Sequence, residues 1–210
     1  MRVAILGAEC TGKTHLASAL AQQLQARIPG ATWVGEYLRE WCDRQGRTPH
    51  VHEQRGIAQE QIQRVLAQPN ASLLISDTAP LLTAVYSEVL FGDTSLYGYA
   101  IAQHRQFQLT LVTGLDLPWV ADSFQRDGPA LRAQVDRRLR AVLLHERIDF
   151  STVYGHGGGR TQNALLAVEH ALRSTHAATT PSRDASWAWL CESCSDADCE
   201  HRLFRAILAR

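Results

Sequence analysis

The sequence predicts an α/β domain: a mostly parallel five-stranded sheet with helices on both faces, followed by a small cysteine-containing C-terminal tail. Three observations carry that expectation. Short apolar runs alternate with segments of helical period as far as Arg173. The chain opens on a strand, a glycine loop and a helix in direct succession. Ser174 to Ser186 is poor in large apolar residues and rich in Ser, Thr and Ala, which reads as a linker. The expected organisation is therefore a domain over 1–173, a linker over 174–186 and a tail over 187–210.

Each element has its own justification. Val3 to Leu6 is a short apolar run, read as a buried strand, and from Lys13 onward Leu16, Ala19, Leu20 and Leu24 repeat at helical spacing. Thr32 to Val34 reads as a second strand ending at Gly35-Glu36, with a helix over Tyr37 to Gly46. Thr48-Pro49 breaks the chain before a helix over Glu53 to Leu66, which Pro69-Asn70 ends. Ser72 to Thr78 is a third strand carrying Asp77 near its end. Pro80 suits the first turn of the next helix, which Leu81 to Leu90 continues up to a turn at Gly92-Asp93. Ser95 to Gln106 reads as a helix interrupted at Tyr97-Gly98-Tyr99, and Phe107 to Thr113 as strand four. An irregular segment then runs from Leu117 through Pro129. Ala130 to His145 is amphipathic, with Leu131, Val135, Leu139, Val142 and Leu143 on one face and Arg132, Arg137, Arg138 and Arg140 off it. Phe150 to Tyr154 is strand five, entering a flexible loop over Gly155 to Gly159, and Asn163 to Arg173 is the last helix of the body.

Composition narrows the functional classes. With 210 residues and 45% hydrophobic content the chain has enough material for a real core. A net charge of zero offers no global field for nucleic acid or an anionic membrane. No apolar run approaches the roughly 20 residues that span a bilayer, and the run at Val3 to Leu6 is too short for a signal peptide. The expected location is cytoplasmic, and the oligomeric state is left open. In a reducing compartment, the clustered cysteines among the five suggest metal more than disulfides.

The opening stretch carries the chemistry. Gly7-Ala8-Glu9-Cys10-Thr11-Gly12-Lys13-Thr14 fits G-x-x-x-x-G-K-[ST], in the strand and helix context that this phosphate-binding loop requires. Gly7 and Gly12 permit positive φ, so the amides of the loop turn inward around an anion. The helix that follows adds the positive end of its dipole. Lys13 is expected on the β- and γ-phosphates of ATP, and the Thr14 hydroxyl on Mg²⁺.

Acids and arginines complete the candidate site. In open α/β sheets, ligands bind beyond the carboxyl ends of the strands. Glu36 follows strand two, Asp77 closes strand three, and Asp116 and Asp122 follow strand four. Asp77 is expected to hold Mg²⁺ or to orient the acceptor hydroxyl; capping of the helix after Pro80 is the alternative. Glu36 is a candidate base, or else a solvated first-turn acid. Arg39 and Glu40 form, on the plainest reading, a local ion pair. The segment from Trp119 to Gly128 reads as a flap, with Arg126 and Arg132 as candidates to meet the transferring phosphoryl group. The glycine loop lets a base lie against the backbone with Arg160 stacked on it, or is simply loose. Cys191, Cys194, Cys199 and His201 offer three thiolates and an imidazole for tetrahedral Zn²⁺ of structural type, with free thiols or an oxidative disulfide as the alternatives.

Several pieces coincide with one family. The phosphate loop, Glu36-Tyr37-Leu38-Arg39-Glu40, Ser76-Asp77-Thr78 and Trp119-Val120-Ala121-Asp122-Ser123-Phe124-Gln125-Arg126 resemble the ribosylnicotinamide kinase domain of NadR-type proteins, an AAA-like ATPase family of NAD metabolism. The likeness covers roughly residues 1 to 172, in the same order and at similar spacing. It implies a P-loop kinase-like fold that uses ATP and Mg²⁺ to phosphorylate the 5′-hydroxyl of nicotinamide riboside. It implies Gly7, Glu9, Cys10, Thr11, Gly12, Lys13 and Thr14 around ATP, Glu36, Tyr37, Arg39 and Asp77 near the ribose, and Trp119 and Asp122 in a lid near the pyridinium. Ser123 stands where the family often has glycine, and Arg126 arrives one residue later than its lid arginine. The tail is outside the resemblance, and adenylyltransferase and DNA-binding activities are expected to be absent.

The function expected is thus a small-molecule kinase acting on a nucleoside, nicotinamide riboside foremost. A nucleotide-dependent regulatory switch signalling through the tail is one rival. A nucleic-acid-associated ATPase with a zinc module is the other, and zero net charge argues against it.

Overall fold

A computed structural model describes residues 1–120 and 128–177, with side chains to residue 174. The strands are β1 (Arg2–Leu6), β2 (Ala31–Val34), β3 (Leu73–Asp77), β4 (Leu109–Thr113) and β5 (Ser151–Val153). The helices among the described residues are α1 (Lys13–Gln25), α2 (Tyr37–Gln45), α3 (Gln54–Leu66), α4 (Pro80–Phe91), α5 (Tyr97–His104), α6 (Gly128–His145) and α7 (Gly157–Ala177). All strand pairs are parallel, in the order β2-β3-β1-β4-β5. The sheet expected from the sequence is therefore the sheet observed.

Strand alternation explains why both faces are covered. Val3 and Ile5 of β1, with Leu73 and Ile75 of β3, pack against Leu16 and Leu20 of α1 and Leu165 and Val168 of α7. Ala4, Leu6 and Leu74 point to the other face and meet Ile62 of α3, Leu81 and Val85 of α4 and Leu139 of α6. β1 is buried along Val3–Leu6 because neither of its faces meets water. β1 connects to β2 on one side, while β3 connects across to β4. The loops after β1 and β3 therefore diverge and open a crevice at the carboxyl ends of these adjacent strands.

Three local expectations need correction. The interruption at Tyr97-Gly98-Tyr99 does not occur: α5 begins at Tyr97, where the glycine lies in the first turn. The loop over Gly155 to Gly159 is shorter than expected, because Gly157 already starts α7 and the helix runs on to Ala177. Glycine's low helix propensity is overridden by the anchoring of Arg160 in that first stretch of helix. Arg132 does not lie off the packed face of α6; it is buried there with Asp136, because its guanidinium donates to the Leu117 carbonyl at 2.8 Å.

Contacts divide the chain into Met1–Arg173 and Ser174–Arg210. Asp122, Arg126, the expected zinc ligands Cys191, Cys194, Cys199 and His201, and linker residues 178–186 lie outside the described residues. No helix among the described residues is long and apolar enough to cross a membrane.

Candidate active site

The loop between β1 and α1 is wound as the motif requires. Gly7 has φ 150° and Gly12 φ 74°, and Cys10 also takes positive φ, at 53°. Gly7 admits no side chain, since an added Cβ would fall 2.0 Å from Thr113 Oγ1. The Thr113 hydroxyl donates to Thr11 Oγ1 at 2.7 Å, and Thr11 donates to the Ala8 carbonyl at 2.7 Å. The tip of β4 thus braces the loop from beneath. Lys13 Nζ donates to the same Ala8 carbonyl at 3.0 Å, which keeps the ammonium over the loop. Thr14 is exposed at the start of α1. The Cys10 thiol donates to the Val120 carbonyl at 2.9 Å and so ties the chain beyond Trp119 to the loop.

Arg160 occupies a different place from the one expected. It is buried, and its guanidinium donates to the Thr11 carbonyl (3.0 Å), the Gly114 carbonyl (3.2 Å), the Gly155 carbonyl (2.8 Å) and Asp116 (2.9 Å). A guanidinium so engaged is not open for a base to stack on; it ties the phosphate loop to the ends of β4 and β5. Burial opposes the charge on Asp116, but the Arg160 guanidinium and the Gly155 amide hold its carboxyl below the usual range.

Asp77 lies at the end of β3, fully buried, beside the crevice. Among the described residues, neither carboxylate oxygen makes a well-formed hydrogen bond. Burial pushes its pKa above the ordinary aspartate value, and the Thr14 hydroxyl, Lys13 and Arg39 pull against that rise. Capping of α4 is not its role, because Ala79 stands at that cap and makes no side-chain bond. The next residue, Thr78, is β-branched yet has φ 73°. Such a conformation costs about 1–3 kcal/mol and persists only where neighbours impose it. Here the Thr78 amide donates to the Ile5 carbonyl at 3.0 Å, and the Ser76 hydroxyl donates to the Thr78 carbonyl at 2.6 Å.

Two cavities flank the loop. One, of about 290 Å³, is lined on its polar side by Glu9, Lys13, Glu36, Arg39 and Tyr86 and walled by apolar residues such as Leu38, Leu90, Phe91 and Leu131. The other, of about 580 Å³, runs over Cys10, Gly12, Lys13, Thr14, His15 and Trp33. Lys13, Glu36 and Arg39 line both, so the two spaces meet at these three side chains. Glu36 stands at the N-terminal cap of α2, and Arg39 lies one turn on, with Nε 3.9 Å from its carboxylate. Tyr37 is placed elsewhere: its ring packs against Arg64 (4.5 Å) and Arg44 (5.3 Å) and lines neither cavity. Trp119 is half-buried and lines neither cavity.

Gln61 was not singled out from the sequence, because a glutamine inside a helix reads as solvated. It is buried on α3, and its Oε1 accepts the Tyr37 amide at 2.7 Å. Its Nε2 faces the Gly35 carbonyl (3.3 Å), Ser76 Oγ (3.4 Å) and the Asp77 carbonyl (3.5 Å). One amide therefore joins the ends of β2 and β3 and sets Glu36 relative to Asp77. Gln61→Leu leaves those groups unpaired and is expected to cost about 1–3 kcal/mol in urea unfolding. A change below about 0.5 kcal/mol would remove Gln61 from this role.

Comparison with known proteins places the chain. The sequence profile of a family described as an AAA domain matches residues 2–160. The chain belongs to that family. No curated protein matches the sequence. Among solved structures, a NadR protein in complex with nicotinamide riboside (NR) superposes with a TM-score of 0.65 at 18% identity, over 89% of this chain and 54% of that one. A NadR protein in complex with NAD and AMP-PNP gives 0.63 at 16% identity, over 89% and 51%. Thymidylate kinase from Ehrlichia chaffeensis gives 0.55 at 13% identity, over 82% and 98%. The chain spans about half the length of the NadR proteins it resembles. At these identities the likeness is one of fold, a P-loop kinase-like AAA domain.

Proposed function

We propose that this AAA domain is an ATP- and Mg²⁺-dependent kinase that phosphorylates a small nucleoside in the cytoplasm, nicotinamide riboside foremost, as a step of NAD salvage. The observation that carries this reading is the meeting of the two cavities at Lys13, Glu36 and Arg39. A polyphosphate held over the loop would present its last group at the polar end of a cleft with apolar walls. That is the arrangement that in-line transfer to an alcohol needs.

The residues divide the work accordingly. The amides of the loop and the N-terminus of α1 would cradle the phosphates, and Lys13 would neutralise charge on the transferring group. Thr14 and Asp77 would hold Mg²⁺; a buried carboxylate whose oxygens make no well-formed hydrogen bond among the described residues is a donor set that fits a hard cation. That ion supplies charge neutralisation on the phosphate oxygens. Glu36 would accept the proton of the attacking hydroxyl, with Arg39 beside it. The apolar walls would take the base, and the paired charges Glu9, Glu36, Lys13 and Arg39 would take the polar groups of the sugar and the transferring phosphate. The NadR protein bound to nicotinamide riboside, being of like fold, adds support.

The test is incubation with ATP, Mg²⁺ and a panel of nucleosides, following monophosphate products by mass. Nicotinamide mononucleotide is the expected product. Steady phosphate release with no nucleoside monophosphate would overturn the kinase reading in favour of a regulatory switch.

A further inference from the structure

Glu9 is a residue of the phosphate loop whose side chain turns away from the loop surface. It lines the acceptor cleft and not the cavity over Cys10 and Thr14. The residue is only 4% exposed. Its Oε2 accepts the Tyr86 hydroxyl from α4 at 2.6 Å, whereas Oε1 is buried with no hydrogen-bond partner among the described residues. A buried carboxylate oxygen left alone is costly, and few native structures keep one without a use. Burial and the Glu9 charge both push the Tyr86 hydroxyl well above its ordinary pKa, so it stays protonated and goes on donating. The tyrosine thus pins one oxygen and leaves the other waiting.

We propose that Glu9 Oε1 accepts a hydrogen bond from a secondary hydroxyl of the acceptor's sugar, which makes Glu9 a specificity-determining residue for ribose over deoxyribose. The inference rests on the nucleoside-kinase reading. A carboxylate accepts hydrogen bonds and donates none, so the group it reads must be a donor. Glu9 lines the same cleft as Lys13 and Glu36, the residues beside which the primary alcohol would be phosphorylated. The next donors along a nucleoside from that alcohol are the hydroxyls of its sugar ring. A site built to bond a hydroxyl rejects the analogue without it, because its own polar group is then left unpaired.

The test is steady-state kinetics of the unaltered protein, Glu9→Gln and Tyr86→Phe. The acceptors are nicotinamide riboside and adenosine, each with its 2′-deoxy and 3′-deoxy counterparts. The unaltered protein is expected to prefer the riboside over one deoxy form by about 10- to 100-fold in kcat/KM, the span of a charge-assisted bond. Glu9→Gln is expected to lose most of that preference by slowing the riboside alone, with the KM for ATP unchanged. Equal losses for all acceptors, or a rise in the KM for ATP instead, would overturn the subsite while leaving the kinase reading intact. No transfer to any nucleoside by the unaltered protein would overturn the kinase reading and the subsite together. Should Glu9→Gln fail to fold, Tyr86→Phe decides. It keeps the carboxylate but unpins it, so the preference is expected to fall several-fold; an unchanged preference refutes the proposal.

Discussion

Lys13→Ala is expected to lower phosphoryl transfer by about 10²–10³-fold, the size of effect seen when one preorganised electrostatic group is removed from a transition state. The expectation rests on position. Lys13 follows Gly12 at the start of α1, and its ammonium is held over the loop by the Ala8 carbonyl. It is also one of the three side chains common to both cavities. No other lysine is present in the chain to take its place. The fold is expected to survive, because the side chain is half-buried and its charge-assisted hydrogen bond to the Ala8 carbonyl contributes about 1.5–3 kcal/mol, against the roughly 5–15 kcal/mol that holds a native domain. Melting followed by circular dichroism should therefore stay cooperative and fall by no more than about 12 °C, while turnover collapses. Unchanged turnover would remove Lys13 from the transfer step; a collapse of both would mean that the lysine acts on the fold.

The sheet and the loop were legible in the sequence because both are local patterns. Val3 to Leu6 and Leu73 to Ile75 are apolar runs buried on both faces, Leu111-Val112 forms the buried apolar centre of β4, and the G-x-x-x-x-G-K-[ST] spacing fixes where the chain must turn. What was not legible depends on partners distant in the chain. Arg132 looks like a solvated arginine until the Leu117 carbonyl is brought to it. Arg160 follows three glycines and reads as loop, yet it is the buried clasp between Thr11 and Asp116. Tyr37 reads with its neighbours Glu36 and Arg39 as part of one motif. On a helix, however, adjacent residues point in different directions, and its ring turns to Arg64 of α3. Glu9 sits inside the phosphate motif, and the motif says nothing about which way a side chain at a variable position faces. Gln61 gave no periodic or compositional signal at all; only a buried amide with partners on two strands marks it.

Asp77→Asn is expected to lower transfer by about 10²-fold, as loss of a group that holds or orients a metal does, and at the same time to stabilise the protein near neutral pH. The two effects have one cause. Burial raises the folded pKa of Asp77 above the ordinary 3.8, so the native state holds this proton more tightly than the unfolded chain does. The stability that goes with the bound proton is fully present below 3.8 and is lost as pH rises through the folded value. Above that window the native state carries a desolvated carboxylate with neither oxygen well bonded among the described residues. Asparagine never ionises, so the variant avoids that loss. Its advantage over the natural chain is expected to be smallest in acid, to grow across the window and then to level off. Each kcal/mol gained raises Tm by about 2–4 °C in a domain of this size. Mg²⁺ with ATP should reverse the order, since a cation at Asp77 relieves the buried charge in the natural chain and finds no carboxylate in the variant. Urea unfolding across pH, with and without Mg²⁺ and ATP, measures all of this. A variant destabilised by the same amount at every pH would refute the desolvation account, and one that keeps full turnover would take Asp77 out of the transfer step. A variant more stable and less active, with its stability advantage reversed by Mg²⁺ and ATP, would mark Asp77 as a residue kept for chemistry at the expense of the fold.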